Sequence, residues 1–348
     1  MALVAEQLPR FSAEQAQDLA QKLYGVTGIA RQLPSERDNN FHLEDESGAA
    51  FVLKIARAGE TFEVLDAQNR AMAHVHRHGR AVQCPEVRKT TSGSTMATVP
   101  HAGTPSMEHL VRLVTFVPGV PFAGLAEQTP PLLHDLGALL GRLDCAMRDF
   151  SHAGARRVLY WDLTEAHTTI GAHLDDIATP GRRDMVSRLA DRFAAVTLPR
   201  LTSLRRSVIH NDGNDYNVLV THAESSSPTV SGIIDFGDMI ESHTVCNLAV
   251  GMAYGILEKP DPVDAGSHIV RGYHRAFPLE PEEIELLFDL MIMRLCLSVS
   301  LSAHQQKLNP ANTYLTISEG PAWEALHALE QIDVADARAA FHDACNMP

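Results

Sequence analysis

Two short stretches of the chain hold residue types that do chemistry, at a spacing worth explaining. Val208-Ile209-His210-Asn211-Asp212-Gly213-Asn214-Asp215-Tyr216-Asn217-Val218-Leu219-Val220 sets H-x-D-x-x-x-x-N between apolar runs, and Gly232-Ile233-Ile234-Asp235-Phe236-Gly237-Asp238 closes a third run with D-F-G. The carboxylates of Asp212 and Asp235 and the amide of Asn217 carry oxygen donors, able to orient a hydroxyl or ligate a hard cation. Asn, Asp and Gly also dominate plain turns, which is the competing reading of Asp212 and Asn217. Three fixed residues at that spacing arise by accident in about four chains in a hundred of this length. The flanking apolar runs and the later D-F-G make accident a poor account of them.

The elements around these motifs have to hold them. In Ala50-Phe51-Val52-Leu53-Lys54-Ile55 strand alternation puts Phe51, Leu53 and Ile55 on one face and Val52 with Lys54 on the other. A strand lysine is ordinarily just solvated, so only its place ahead of the two motifs gives Lys54 weight. Ser12 and Gln15 form a capping box that opens a helix to about residue 23. A polar turn at 36–41 separates two short strands, a second turn at 45–48 leads into the Lys54 strand, and 62–77 has helical spacing. Residues 111–117 form an apolar strand that stops at Pro118-Gly119, the expected hinge. Beyond it the pattern is helical at 132–150, 164–177, 182–196, 248–257, 268–276, 281–303 and 322–329. A strand island interrupts it, with 207–209 paired to 218–220 and then 230–234. The chain therefore reads as α+β and bilobal: residues 1–117 an antiparallel sheet plus helix, residues 118–348 mainly helical.

In this order the motifs resemble the aminoglycoside-phosphotransferase/choline-kinase superfamily of small-molecule kinases, over nearly the whole chain. Four stretches make it similar to the hydroxylysine-kinase-like branch: Leu65-Asp66-Ala67-Gln68-Asn69, Arg112-Leu113-Val114-Thr115-Phe116-Val117-Pro118-Gly119, Tyr160-Trp161-Asp162-Leu163 and Asn312-Thr313-Tyr314-Leu315-Thr316-Ile317-Ser318. The resemblance implies a bilobal protein-kinase-like fold that moves the terminal phosphate of ATP or GTP onto an alcohol. That reaction is mostly positioning and charge neutralisation. By this likeness Asp212 orients the acceptor hydroxyl, Asn217 and Asp235 ligate Mg2+, and Lys54 holds the inner phosphates. Val52 presses on the base, the backbone of Thr115, Phe116 and Val117 meets its edge, and the turn at 37–40, Asn39 among its residues, covers the phosphates where no G-x-G-x-x-G exists. His210 reads as a packing residue that fixes the loop.

The branch implies a hydroxylated amine or amino acid, such as hydroxylysine, as acceptor. Asp162, Asp238 and Glu241 are the acids that could meet its ammonium, Trp161 an aromatic face for the same cation, and Arg294 a fork for its carboxylate. Asp238 could equally cap the next helix, and Arg294 could equally be a structural salt bridge. Two positions depart from the wider superfamily: Gln68 stands where a glutamate usually meets the strand lysine, and Asn247 where many relatives have an acid. Alternatives are a kinase for another alcohol (an aminoglycoside, choline, ethanolamine or homoserine) or a silent nucleotide-binding module, which Gln68 favours and the intact Asp212, Asn217 and Asp235 oppose. A protein kinase is disfavoured because no A-P-E anchor follows the D-F-G.

Bulk properties narrow the partners. The formal charge of −14 argues against nucleic acid, and five cysteines without paired spacing fit a reducing cytoplasm. Residues 1–10 carry Glu6 and lack the cationic start of a secretory signal. The most apolar run, 286–301, is broken by Asp289 and Arg294 and falls short of the roughly 20 residues of a membrane span, so it reads as a buried core helix. His74 and His78 share a helix face, without the acidic partner of a metalloprotease site.

Overall fold

The computed structural model describes residues 9–35, 37–79, 81–101, 104–221, 227–308 and 318–346. Features expected at 1–8, at Glu36 and in the 312–317 part of the branch motif lie outside them. Two compact units emerge. The first takes the described residues through Arg77, then Cys84–Pro118 and His152–Gly154; the second takes His78–Gln83, Gly119–Ser151 and the chain from Ala155.

The first unit opens with α1 (Ala13–Tyr24), whose Ser12 hydroxyl accepts from the Gln15 N–H while the Gln15 side chain accepts from the Ser12 N–H. The sheet then runs β1 (Gly28–Leu33), β2 (Asn39–Asp45) and β3 (Ala50–Ile55), followed by α2 (Phe62–His78). It continues as β4 (Val87–Arg88), β5 (Ala97–His101) and β6 (Thr104–Thr115), in the antiparallel order β1-β2-β3-β6-β4 with β5 also on β6. Period-two alternation sorts the strands: Phe41, Leu43, Phe51, Leu53, Ile55, Val111 and Leu113 join Ala16, Ala20 and Tyr24 of α1 in one core. The alternate positions therefore lie on the other face, and the register sets Asn40, Lys54 and Arg112 side by side in one row across it.

The second unit contains β7 (Val120–Pro121), α3 (Pro130–Met147), α4 (Ala166–His173), α5 (Pro180–Arg192) and α6 (Leu198–Leu201). The strands β8 (Arg206–Ile209), β9 (Val218–Thr221), β10 (Thr229–Ile233) and β11 (Ile240–His243) follow. Five helices close it: α7 (Val245–Gly255), α8 (Pro262–Ala276), α9 (Pro281–Leu308), α10 (Glu319–Glu330) and α11 (Val334–Asn346). The expected pairing of 207–209 with 218–220 is not formed. β8 pairs with β11, while β9 lies between β10 and β7, so the H-x-D-x-x-x-x-N stretch crosses between two sheets and is no hairpin turn.

Close helix packing fixes this scaffold. A Cβ on Gly137 would stand 1.9 Å from the Ile269 carbonyl oxygen, and one on Gly272 1.9 Å from that of His134, so α3 and α8 approach backbone to backbone. That crossing brings Asp144 of α3 to Tyr273 of α8. α9 is buried along most of its length, Asp289 and Arg294 included. Among the described residues no helix is long and apolar enough to cross a membrane.

Candidate active site

The loop between β8 and β9 is built on a left-handed residue. Asn211 has φ 64° and is fully buried; its N–H donates to Asn247 Oδ1 on α7 at 3.1 Å. Asn247 Nδ2 donates to Asp144 Oδ1 at 2.7 Å, and the Tyr273 hydroxyl donates to Asp144 Oδ2 at 2.7 Å. Asp144 can only accept when ionised, so it turns the Asn247 amide until its oxygen faces Asn211. The departure at Asn247 thus has a physical reason: the acid of this cluster stands on α3, and a second carboxylate at 247 would face it directly. Burial pushes the Asp144 carboxyl up to about 7, against the two bonds that favour its ionised form.

Turning back out of that anchor, the chain presents Asp212. Asn214 Nδ2 donates to its Oδ1 at 2.9 Å and Asn217 Nδ2 to its Oδ2 at 2.7 Å. Arg294 Nη2 reaches Oδ1 at 3.3 Å, and its Nη1 donates to the Trp161 carbonyl oxygen at 3.3 Å. Arg294 is 1% exposed, and its guanidinium lies 4.4 Å from the Trp161 ring centroid and 5.5 Å from that of Tyr254. Burial and the nearby Asp238 and Asp235 raise the Asp212 carboxyl above its ordinary range, and Arg294 opposes them. His210 holds the loop from below. The Asp212 N–H donates to its Nδ1, leaving Nε2–H to donate to the Ile234 carbonyl at 3.1 Å, and burial pushes the imidazole down to about 4.

Asp235 enters beside this loop because the Ile234 N–H donates to the Asn217 carbonyl at 2.9 Å. It too is left-handed, φ 62°, and caps the turn Phe236–Asp238 through the Gly237 N–H at 3.2 Å. Two non-glycine residues in that region cost of order 1–3 kcal/mol each, strain stored where Asp212 and Asp235 must be aimed. Phe236 is buried edge-on against His210, 4.8 Å between ring centroids. The charges of Asp238 and Asp235 both act on Asp212, whose Oδ2 accepts from the Asn217 amide N–H. This oxygen-rich, negatively charged donor set suits a hard divalent cation.

The other expected acceptor-side residues have local partners. Asp162 caps the turn Leu163–Glu165 through Thr164, and its Oδ1 also accepts from Ser242 Oγ at 2.9 Å. Glu241 accepts from Arg156 at 2.9 Å, and Trp161 supplies its ring and its carbonyl to Arg294.

In the first unit, Lys54 stands between Asn40 and Arg112 in the cross-strand row, and Val52 between His42 and Val114. Arg112, 3% exposed, donates to Asn69 Oδ1 at 2.9 Å and to Gln68 Oε1, both on α2. Two stretches that mark the branch by sequence, 65–69 and 112–119, are joined by these bonds. The N–H groups of Thr115 and Phe116 donate to the carbonyls of Glu86 and Ala50 at 2.9 Å each, Phe116 packs edge-on against His42, and Val117 is buried. Asn39 accepts from the Phe11 N–H at 2.9 Å, which ties the start of α1 to the sheet.

Comparison with known proteins identifies the family. The model of a family described as "Phosphotransferase enzyme family" matches residues 29–282. The hydroxylysine kinase of Danio rerio is 30% identical over 322 residues, 90% of each chain. Among solved structures, an amicoumacin kinase in complex with AMP-PNP, Ca2+ and Ami has a TM-score of 0.70 at 15% identity, covering 94% of this chain and 97% of its own. A microcompartment-associated aminopropanol kinase has a TM-score of 0.68 at 18% identity, covering 96% and 99%. At these identities the two structures speak for the fold, which is kinase-like.

Proposed function

Since this chain belongs to the phosphotransferase enzyme family and is a small-molecule kinase, we propose that its acceptor is the hydroxyl of a hydroxylated amine or amino acid, with hydroxylysine the first candidate. Identity of 30% to a hydroxylysine kinase, across 90% of both chains, supports the substrate class. The observation that carries the catalytic reading is Asp212, one carboxylate steadied by two amides and a guanidinium, with a strained Asp235 nearby.

In this reading Asp212 accepts a hydrogen bond from the substrate hydroxyl and aims its oxygen at the terminal phosphorus. As the new O–P bond forms and the bond from the terminal phosphorus to the leaving nucleoside diphosphate breaks, the hydroxyl becomes acidic and its proton passes to the carboxylate. Arg294 holds the carboxylate at the angle that attack requires, while His210 and the Asp144–Asn247 pair hold the loop. Asn217 Oδ1 and the Asp235 carboxylate would hold Mg2+, which when bound supplies neutralisation of phosphate charge. Lys54 takes the inner phosphates of ATP or GTP, Val52 the base, and the backbone at Thr115, Phe116 and Val117 its edge. Arg112 takes over the brace that a lysine–glutamate pair usually gives the helix, tying α2 to the sheet through Gln68 and Asn69. Asp238, close enough to Asp212 to influence it, is the acid we assign to the substrate ammonium.

A nucleotide-consumption screen over hydroxylated amines, amino acids, aminoglycosides and neutral polyols tests this reading. Turnover confined to amine-bearing alcohols supports it. Consumption with polyols alone removes the substrate assignment.

A further inference from the structure

One cluster of metal-ligating side chains in the second unit has no part in the chemistry above. α4 ends at His173, and a single turn, Leu174–Asp176, follows it. The last turns of α9 bring His304 and Lys307 to the same place. His304 Nδ1 lies 2.8 Å from Asp176 Oδ2, His173 Nδ1 lies 3.7 Å from that same oxygen, and one ligand atom from each residue falls within 4.8 Å of the others. The two imidazoles stack at 3.9 Å between centroids, inclined by 35°. Lys307 Nζ is 2.6 Å from the other carboxylate oxygen, Oδ1.

We propose that His173, Asp176 and His304 form a transition-metal site of the zinc class, separate from the magnesium ligands assigned to the catalytic loop. Donors bound to one metal at about 2.0–2.2 Å stand roughly 3–3.5 Å apart, a span that the 2.8 and 3.7 Å separations bracket. The set is two nitrogens and one oxygen, which suits Zn2+ and its neighbours, whereas Mg2+ takes oxygens. Both rings aim Nδ1 at one oxygen, and two stacked imidazolium ions would repel. On binding, the His304 proton moves from Nδ1 to Nε2, so that the metal takes the Nδ1 lone pair. Lys307 keeps Oδ1, orienting the carboxylate from outside the ligand set. The side chains of His173, Asp176 and His304 are 18%, 10% and 21% exposed, which leaves room for a water as fourth ligand.

The consequence is a clip between two elements of the substrate side. His304 follows Arg294 by ten residues on α9, about 15 Å along the helix, and His173 ends the helix that begins just after Trp161 and Asp162. The competing account is a metal-free clamp of hydrogen bonds between α4 and α9.

Calorimetric titration of tag-free, metal-stripped full-length protein with Zn2+, alongside the visible spectrum with Co2+, separates the two. We expect one site of micromolar or tighter affinity, weakened by roughly tenfold or more in His173→Gln and in His304→Gln but kept in His74→Gln. Should those variants unfold, X-ray absorption of the zinc-loaded wild type still decides, because it counts imidazole ligands. No tight site, a site indifferent to His173 and His304, or a zinc spectrum with fewer than two imidazoles overturns the proposal.

Discussion

Replacing Asp144 by asparagine tests the buried anchor beneath the Asp212 loop by a pH-dependent change in stability. Asp144 is 1% exposed, and its carboxyl lies at about 7 in the folded protein against an ordinary 3.8. A folded pKa above the unfolded one means that the native state binds the extra proton between those values. Stability therefore falls as pH rises from about 4 to 7 and stays low above it. A shift of about 3 units at roughly 1.4 kcal/mol each gives a cost near 4 kcal/mol at pH 8. An amide at 144 can offer its oxygen to Asn247 and its nitrogen to the Tyr273 hydroxyl, so it keeps the bonds while removing the buried charge. Urea unfolding of wild type and Asp144→Asn at pH 5 and pH 8 checks this. The variant should gain on the wild type by about 3 kcal/mol between the two pH values, from the roughly two units between pH 5 and the folded pKa. A difference that is the same at both, or that moves against the variant, refutes the account of Asp144.

Three further outcomes follow from the site. Asp212→Asn should bind nucleotide as the wild type does while turnover drops by at least ~10²-fold; undiminished turnover removes Asp212 from the mechanism. Arg294→Met breaks a buried pair and should cost about 3 kcal/mol of stability, with a fall in kcat and little change in KM for the acceptor. A raised acceptor KM at unchanged kcat would instead make Arg294 a substrate contact. Gln68→Leu removes the Oε1 that accepts from Arg112, at a cost of about 1–3 kcal/mol, and should raise the nucleotide KM several-fold while sparing the acceptor KM. A folded variant with an unaltered nucleotide KM contradicts the brace.

Local patterns were legible in the chain because they depend on near neighbours. The Ser12–Gln15 box, the alternation of Phe51, Leu53 and Ile55, and the apolar strands on either side of the Asp212 loop all appear where sequence places them. Strand partners did not follow, because β11 reads Ile240-Glu241-Ser242-His243 and its alternation is too polar to announce a strand. α8 begins at Pro262 after an Asp261 cap, several residues before its expected start, and α11 is an alanine-rich helix with only Ala337, Phe341 and Ala344 buried. The contacts that give the site its character join residues far apart: Arg294 with Asp212, Arg112 with Gln68, Asn247 with Asp144. No periodicity carries such information. The His74–His78 spacing is visible along one helix, whereas His173, Asp176 and His304 converge only through the packing of α4 on α9.

Mass spectrometry of the product formed from hydroxylysine and ATP or GTP tests whether this kinase phosphorylates an amine-bearing alcohol with Asp212 aligning the hydroxyl. A single phosphoryl group on the hydroxyl oxygen is expected with wild-type protein, and almost none with Asp212→Asn. Phosphorylation of neutral polyols with none of hydroxylysine or other hydroxylated amines, or equal product from both proteins, would contradict it.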